Sequence, residues 1–381
     1  MSTRNKLTVP YSYLADQFKN PEPILNAFRE QLNRCEFTFG PELAEFENNM
    51  SAYTGAKYVL GTSSGTMALS MLLQAVGVAH GDEVITVSQT FVATIGSIVS
   101  IGARPYFIDV LDDFTMNPNL IESAINNKTK AIMPVHYSGC PARMEEIIRT
   151  AAKHNLPVIE DACCAISAKI KGKHVGTFGQ GGAFSVHPLK NLNVWGDGGF
   201  IITNDKKVYD RITLLRNHGL KNRDEVEIFG WNARLDTIQA IVGNYLYPHI
   251  DEITDSRIAH ADMYDDALSS KEFSDYITLP PRRKKERHVY HMYMFLAEHR
   301  DLLLKYLIDS GIEAKVHYPI PMHLQKATLN QAPAFGKCDL SKTEEQCRKL
   351  ITLPVHQHLT AEQIEYTIER IRHFFRDKPW K

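Results

Sequence analysis

Four short stretches carry residue types that could do chemistry together. In FSVHPLKNLNVWGDGGF, residues 184–200, Lys190 follows His187-Pro188 and precedes a Gly-Asp-Gly-Gly turn. The proline favours turn or extended backbone here over a solvent-facing helix. A lysine so placed is a surface charge or a reagent. Desolvation or a nearby cation would lower its pKa and free the neutral amine to attack an aldehyde. Ser185 lies just upstream, near a strand end.

LPVIEDACCA is a buried strand ending in Glu160-Asp161. A carboxylate there can stay ionised beside a cation, such as a protonated ring nitrogen or a metal, or it can merely cap the next turn. The vicinal Cys163-Cys164 reads as buried filler, because neighbouring cysteines rarely bridge without strain. In YVLGTSSGTMALSMLLQA a strand gives way at Ser64-Gly65-Thr66 to a helix. Gly65 allows close backbone approach to an anion, and the free amides that follow favour phosphate, although Ser64 or Thr66 would equally serve as an ordinary N-cap. In GWNARLDTIQAIVG, Asn232 precedes an amphipathic helix, and spacing alone makes it that helix's cap. A phosphate cradle, an acid for a ring nitrogen and a lysine for an aldehyde are the three handles that pyridoxal 5′-phosphate (PLP) requires.

Such groups converge only if the surrounding elements bring strand ends together. DEVITVS, RPYFIDV, AIMPVH, LPVIEDA and GGAFSVH read as buried strands, and ARMEEIIRTAAKHN and KKVYDRITLLRNHG as amphipathic helices. This alternation predicts an α/β domain with a largely parallel sheet, whose ligands sit at the carboxyl ends of the strands. After Gly243 the texture shifts to a long helix, the Pro- and charge-rich LPPRRKKERHV, and the loop HYPIPMHLQ. We expect residues 1–245 to form an N-terminal segment and large domain, and residues 246–381 a smaller α+β domain. The run from Arg282 to Arg287 reads as a solvated loop rather than a diphosphate grip.

With 44% hydrophobic and 23% charged residues and a formal net charge of −1, the chain of 381 residues has no field suited to nucleic acid or membrane. Small-molecule partners are expected. The opening MSTRNKLTVPYSYL has no long apolar region, and no apolar run is long enough to cross a bilayer, so the expected location is the cytoplasm. Six cysteines without a C-x-x-C pair suggest neither a disulfide framework nor zinc, and no metal is expected.

The chain resembles the DegT/StrS family of sugar aminotransferases, within the fold-type I PLP enzymes, almost from end to end. The likeness runs through FTFGPELAEFENNMSAYTGAKYVLGTSSGTMAL, GDEVITVSQTFVAT, GARPYFIDV, KAIMPVHYSG, LPVIEDACCA, FSVHPLKNLNVWGDGG, RNHG, GWNARLDTIQA, GIEAKVHYPIPMHLQ and ITLPVHQHLTAEQI.

The resemblance implies that Lys190 holds the cofactor covalently and that Asp161 pairs with its ring nitrogen. Gly65, Thr66 and Ser185 would hold the phosphate, and Phe91 would stack on the ring. Asn232 would reach the phosphate of a neighbouring subunit, placing shared sites in a homodimer. Two positions depart from the family: Cys164 stands where glutamine is usual, near the ring hydroxyl, and Ser138 where a tyrosine is usual. His187, His317 and the HYPIPMHLQ loop are candidates for the substrate pocket, with a structural role as the alternative. The implied activity moves an amino group from L-glutamate to a keto or aldehydo sugar, which could be nucleotide-linked, free, phosphorylated or an eight-carbon sugar acid. Such a reaction would serve lipopolysaccharide or other surface polysaccharide, or secondary metabolism. The alternatives are a PLP-dependent sugar dehydratase, against which Lys190 argues because that branch carries histidine, and a non-catalytic regulator on the same fold.

Overall fold

Residues 7–378 and 380 are described by the structure, a computed structural model. The main sheet has seven strands, β1 (Tyr58–Thr62), β2 (Glu83–Val87), β3 (Arg104–Ile108), β4 (Thr129–Ile132), β5 (Ile159–Asp161), β6 (Gly181–Ser185) and β7 (Gly199–Thr203), and a short eighth, Gly336–Lys337, pairs in parallel on the outer edge of β3. They lie in the order β1-β7-β6-β5-β4-β2-β3, with the parallel bridges Ile132 to Val158 and Val135 to Asp161 joining β4 to β5. Only β7 runs antiparallel to its neighbours. All five of its residues are buried, as expected of a strand covered on both faces. Every strand and both helices read from the sequence are present, the helices at Met144–Lys153 and Lys206–Leu215.

Two connections matter for chemistry. Helix α1 (Gly65–Ala75) follows β1, and helix α2 (Val92–Ser100) follows β2 with Phe91 at its N-cap. Both N-termini therefore stand at carboxyl ends of strands. One apolar cluster, centred on Phe46, Phe184, Phe200 and Leu235, packs beneath β6 and β7.

The long helix α3 (Ile250–Leu268) leads to a second, antiparallel sheet of β8 (Ile277–Thr278), β9 (Tyr293–Ala297) and β10 (Leu350–Leu353). Its own cluster gathers Ala261, Tyr264, Tyr293, Phe295, Ile351 and Phe374. Val9 joins that cluster through a bridge to Ile312, so the start of the described chain packs on C-terminal residues. The basic run is not simply solvated. Asp265 takes hydrogen bonds from Arg282 at 2.6 and 2.9 Å, Glu286 pairs with Arg283 at 2.8 Å and Asp255 with Arg287 at 2.8 Å, because acids on α3 and within the run itself neutralise these half-buried arginines. No described helix is long and apolar enough to cross a membrane.

Candidate active site

A cavity of about 320 Å³ opens at the carboxyl ends of the strands. Gly65, Thr66, Phe91, Asp161, Cys164, Ser185, His187, Lys190 and His317 all line it. Nine of the ten residues given a cofactor or substrate role from the sequence thus meet in one space. Asn232 does not line it; its backbone bridges Asn217. Nor does it cap the following helix, whose N-cap is Asp236.

Lys190 is held by its backbone. Its amide donates to the His187 carbonyl at 2.8 Å, and its carbonyl accepts from the Tyr13 hydroxyl at 2.8 Å and Asn193 Nδ2 at 3.1 Å. Its ammonium Nζ donates to Cys164 Sγ at 3.1 Å. Burial alone would lower the lysine's pKa, but Cys164, Cys163 and Asp161 outweigh it and hold the amine above its ordinary value. The expectation of a lowered pKa is therefore corrected: in this environment the free amine stays protonated at neutral pH.

The neighbouring acids of β5 point in opposite directions, as alternation along a strand requires. Glu160 is fully buried and accepts from the amides of Gly176, Phe178 and Gly179, with His136 Nε2 at 3.0 Å, so its role is structural. Asp161 faces the cavity. Thr94 Oγ1 donates to its Oδ2 at 2.7 Å and the Cys163 amide to its Oδ1 at 3.2 Å, and Thr90 Oγ1 lies 2.6 Å from the Thr94 hydroxyl. This network fixes the carboxylate's direction.

At the start of α1, Ser64 takes the cap role that the sequence allowed it. Ser64 Oγ accepts from the Met67 amide at 3.2 Å and caps the helix, which leaves the first amides unpaired toward the cavity. A Cβ on Gly65 would stand 2.7 Å from Cys163 Sγ and 3.0 Å from Ser185 Cβ. Only glycine fits there, and the backbone is left open as a cradle. Phe91 is half exposed, its ring 5.9 Å from that of Tyr318. An amine, a carboxylate, free helix amides and an apolar ring around one space suit PLP in size and in chemistry.

Tyr318, in the HYPIPMHLQ loop expected at the substrate pocket, also lines the cavity, as do Tyr11, Thr94, Tyr137 and His291, which were missed from the sequence. Ser138 does not line it: its Oγ lies 3.3 Å from His288 Nε2, and Tyr137, one residue earlier, forms the wall and donates to the His317 carbonyl. His317 Nδ1 sits 3.0 Å from Thr352 Oγ1. Burial and the nearby Lys190 and Lys315 pull its pKa down to about 4, so it is neutral at physiological pH. Burial, with Lys190 and Arg257 among the nearby charges, likewise keeps His291 neutral. Among the described residues no group of three or more His, Cys, Asp and Glu could hold a metal.

A mostly parallel sheet with one antiparallel strand, and a lysine, a carboxylate and a helix N-terminus meeting at its carboxyl edge, defines a class: the PLP-dependent transferases of fold type I. Within that class the chain belongs to the DegT/DnrJ/EryC1/StrS aminotransferase family, whose profile matches residues 19–372. It is a transaminase, and its cofactor is PLP. Among relatives, it is 38% identical over 373 residues to the pleiotropic regulatory protein of Geobacillus stearothermophilus, covering 97% of this chain and 99% of that one. It is 35% identical over 347 residues to dTDP-3-amino-3,4,6-trideoxy-alpha-D-glucose transaminase of Streptomyces venezuelae, covering 91% and 90%. Among solved structures, NtdA of Bacillus subtilis with bound cofactor PMP superposes with a TM-score of 0.90 at 31% identity, covering 99% of this chain and 87% of that one.

Proposed function

We propose that the chain transfers an amino group from L-glutamate to a keto or aldehydo sugar, as a cytoplasmic homodimer with shared sites. The carrying observation is the convergence of Lys190, Asp161 and the amides of α1 on one cavity. Lys190 would bind the cofactor covalently, Asp161 would pair with its ring nitrogen, and Gly65, Thr66 and Ser185 would hold its phosphate. Phe91 would lie against the ring and Cys164 near the ring hydroxyl, while Asn232 would serve the partner's phosphate. Residues 1–245 and 246–381 would form the two domains.

When bound, PLP supplies an electron sink that lets an amino acid lose its α-proton. The residues of this chain do the rest. Asp161, oriented by Thr94, would keep the ring nitrogen protonated by charge. Lys190, with its amine free, would move the donor's proton. Cys164, Cys163 and Asp161 favour its ammonium form, so the amine would hold its extra proton tightly and would have to lose it before acting as a base. His187 and neutral His317 would offer hydrogen bonds to the hydroxyls of a sugar.

The family resemblance supports glutamate as donor, and the sugar named in the Streptomyces relative supports a sugar acceptor. A regulator reading draws support from the name of the Geobacillus relative, and the intact Lys190 and Asp161 weigh against it. To test the proposal, the purified protein is loaded with PLP, converted with L-glutamate to its pyridoxamine form, and offered keto and aldehydo sugars that are free, phosphorylated or nucleotide-linked. Return of the pyridoxal-form absorbance with one acceptor class is the expected result. Return with none, or release of water instead of amination, would overturn it.

A further inference from the structure

Arg257, on α3, is a fully buried guanidinium whose pairing is incomplete. It is 2% exposed, and its Nη1 donates to the Tyr290 carbonyl at 3.3 Å. Its Nε and Nη2 are buried without a well-directed hydrogen bond, although the Tyr13 hydroxyl stands close enough to stabilise the charge. No carboxylate stands among the groups that act on its charge; burial dominates, opposed by Tyr13 and Tyr11, with the Tyr13 ring 5.1 Å from the guanidinium carbon. A buried cation left this way is costly unless something with negative charge or lone pairs reaches it.

The space that Arg257 faces adjoins the active site. A void of about 10 Å³ is lined by Arg257 together with Tyr11, Tyr13, Leu189, His291 and His356. Tyr11, Leu189 and His291 also line the main cavity and so form the partition between the two. His291 Nδ1 and His356 Nδ1 are buried without partners as well. A void of this size holds one water, and orphaned donors and acceptors around it are what such a water satisfies.

The main cavity has the complementary problem. Asp161 and Asp197 line it, and among the described residues no arginine does. An amino-acid donor brings at least one carboxylate to that space, and Lys190 is committed to the amino chemistry.

We infer that Arg257 recognises a carboxylate of the amino donor across the partition formed by Tyr11, Leu189 and His291, through one water held in the small void. Water-mediated contacts of this kind retain most of the strength of a direct hydrogen bond and pass charge preference to the bound group. The same residue would favour the 2-oxo acid product and would not touch the sugar. This inference rests on the aminotransferase reading with glutamate as donor.

The two half-reactions separate its failure from that of the reading. PLP-loaded Arg257→Gln and Arg257→Lys are compared with the unmodified enzyme. In the donor half-reaction, the half-saturating glutamate concentration is expected to rise about tenfold or more in Arg257→Gln, with part recovered in Arg257→Lys. In the acceptor half-reaction, started from the pyridoxamine form, sugar saturation should be unchanged. Equal damage to both half-reactions would assign Arg257 a structural role, and unchanged glutamate saturation would place the donor carboxylate elsewhere; either overturns the inference. If the unmodified enzyme reacts with no amino acid, the functional reading itself fails. A crystal structure of the unmodified holoenzyme with glutarate decides the matter even if neither variant folds. A carboxylate linked to Arg257 through one water supports the inference, and a carboxylate bound away from that partition refutes it.

Discussion

Lys190 Nζ donates to Cys164 Sγ at 3.1 Å, so the residue proposed to hold the cofactor has as its immediate neighbour one of the two positions at which the sequence departs from the pattern the resemblance implies. The contact is direct and buried. Cys164 is the largest of the influences that raise the lysine's pKa. The departure therefore bears on the reactivity of the amine as well as on the ring hydroxyl.

Replacing Cys164 with Ala should lower the Lys190 pKa, because the main raising partner is lost while burial remains. The expected outcome is faster capture of PLP by the apoprotein near neutral pH, with a shift of its pH profile to lower pH. Cys164→Gln should change the profile less, since an amide still hydrogen-bonds the ammonium. Stopped-flow absorbance across a pH series checks this, and an unaltered profile for Cys164→Ala would remove the thiol from the account.

Asp161→Asn keeps the shape of the carboxylate and loses its charge. Transition-state electrostatics of this kind carry roughly 10²–10³ in rate, and the loss should fall on proton transfer in the glutamate half-reaction. Thr94→Val removes the hydrogen bond to Oδ2 together with the contact to the Thr90 hydroxyl, keeps the Asp161 charge, and should cost about tenfold in the same step. Single-turnover kinetics with deuterated glutamate read both. A near-normal rate for Asp161→Asn would leave the acid as a turn cap, the other role its sequence allowed.

The difference between what could and could not be read from the sequence is visible in these residues. Lys190, Asp161 and Gly65 each sit where one short segment announces a strand end or a turn, so local patterning exposes them. Thr94, Tyr11, His291 and Arg257 come from unrelated segments, and only tertiary packing shows which way they face. Glu160 and Asp161 were inseparable as neighbours until β5 sent one toward backbone amides and the other into the cavity. The Lys190 environment was misjudged because the sulfur beside it and the carboxylate beyond it could not be weighed against burial without distances. Asn232 was assigned by spacing to a cap that Asp236 occupies, a displacement of four residues within a loop that a bridge to Asn217 holds in place.

Gly65→Ala tests the cradle. The new methyl would press on Cys163 Sγ and Ser185 Cβ, neither of which is the free end of a long side chain. Overpacking of this sort costs about 1–3 kcal/mol, and the displaced backbone should also weaken phosphate binding. Thermal melts with and without PLP should show a lower apoprotein midpoint and a smaller gain on adding cofactor. A normal cofactor gain on a destabilised apoprotein would separate packing from phosphate recognition.

Asn232 provides the sharpest test of assembly. It stays out of the cavity of its own chain although the family resemblance gives it a phosphate to hold, and a partner's cavity would satisfy both observations. Lys190→Ala abolishes covalent attachment in the site to which it belongs. Asn232→Asp sets a carboxylate against the phosphate, wherever that phosphate is, and like-charge repulsion weakens its binding. Each variant should be poorly active alone. If Asn232 acts across a dimer interface, a mixed dimer collects both lesions in one site and leaves the other intact, so subunit exchange should restore activity to at most half per mixed dimer. If Asn232 acts within its own chain, both sites of the mixed dimer stay damaged and nothing returns. Verified exchange without recovery would refute the shared site, and an active monomer would refute the dimer requirement with it.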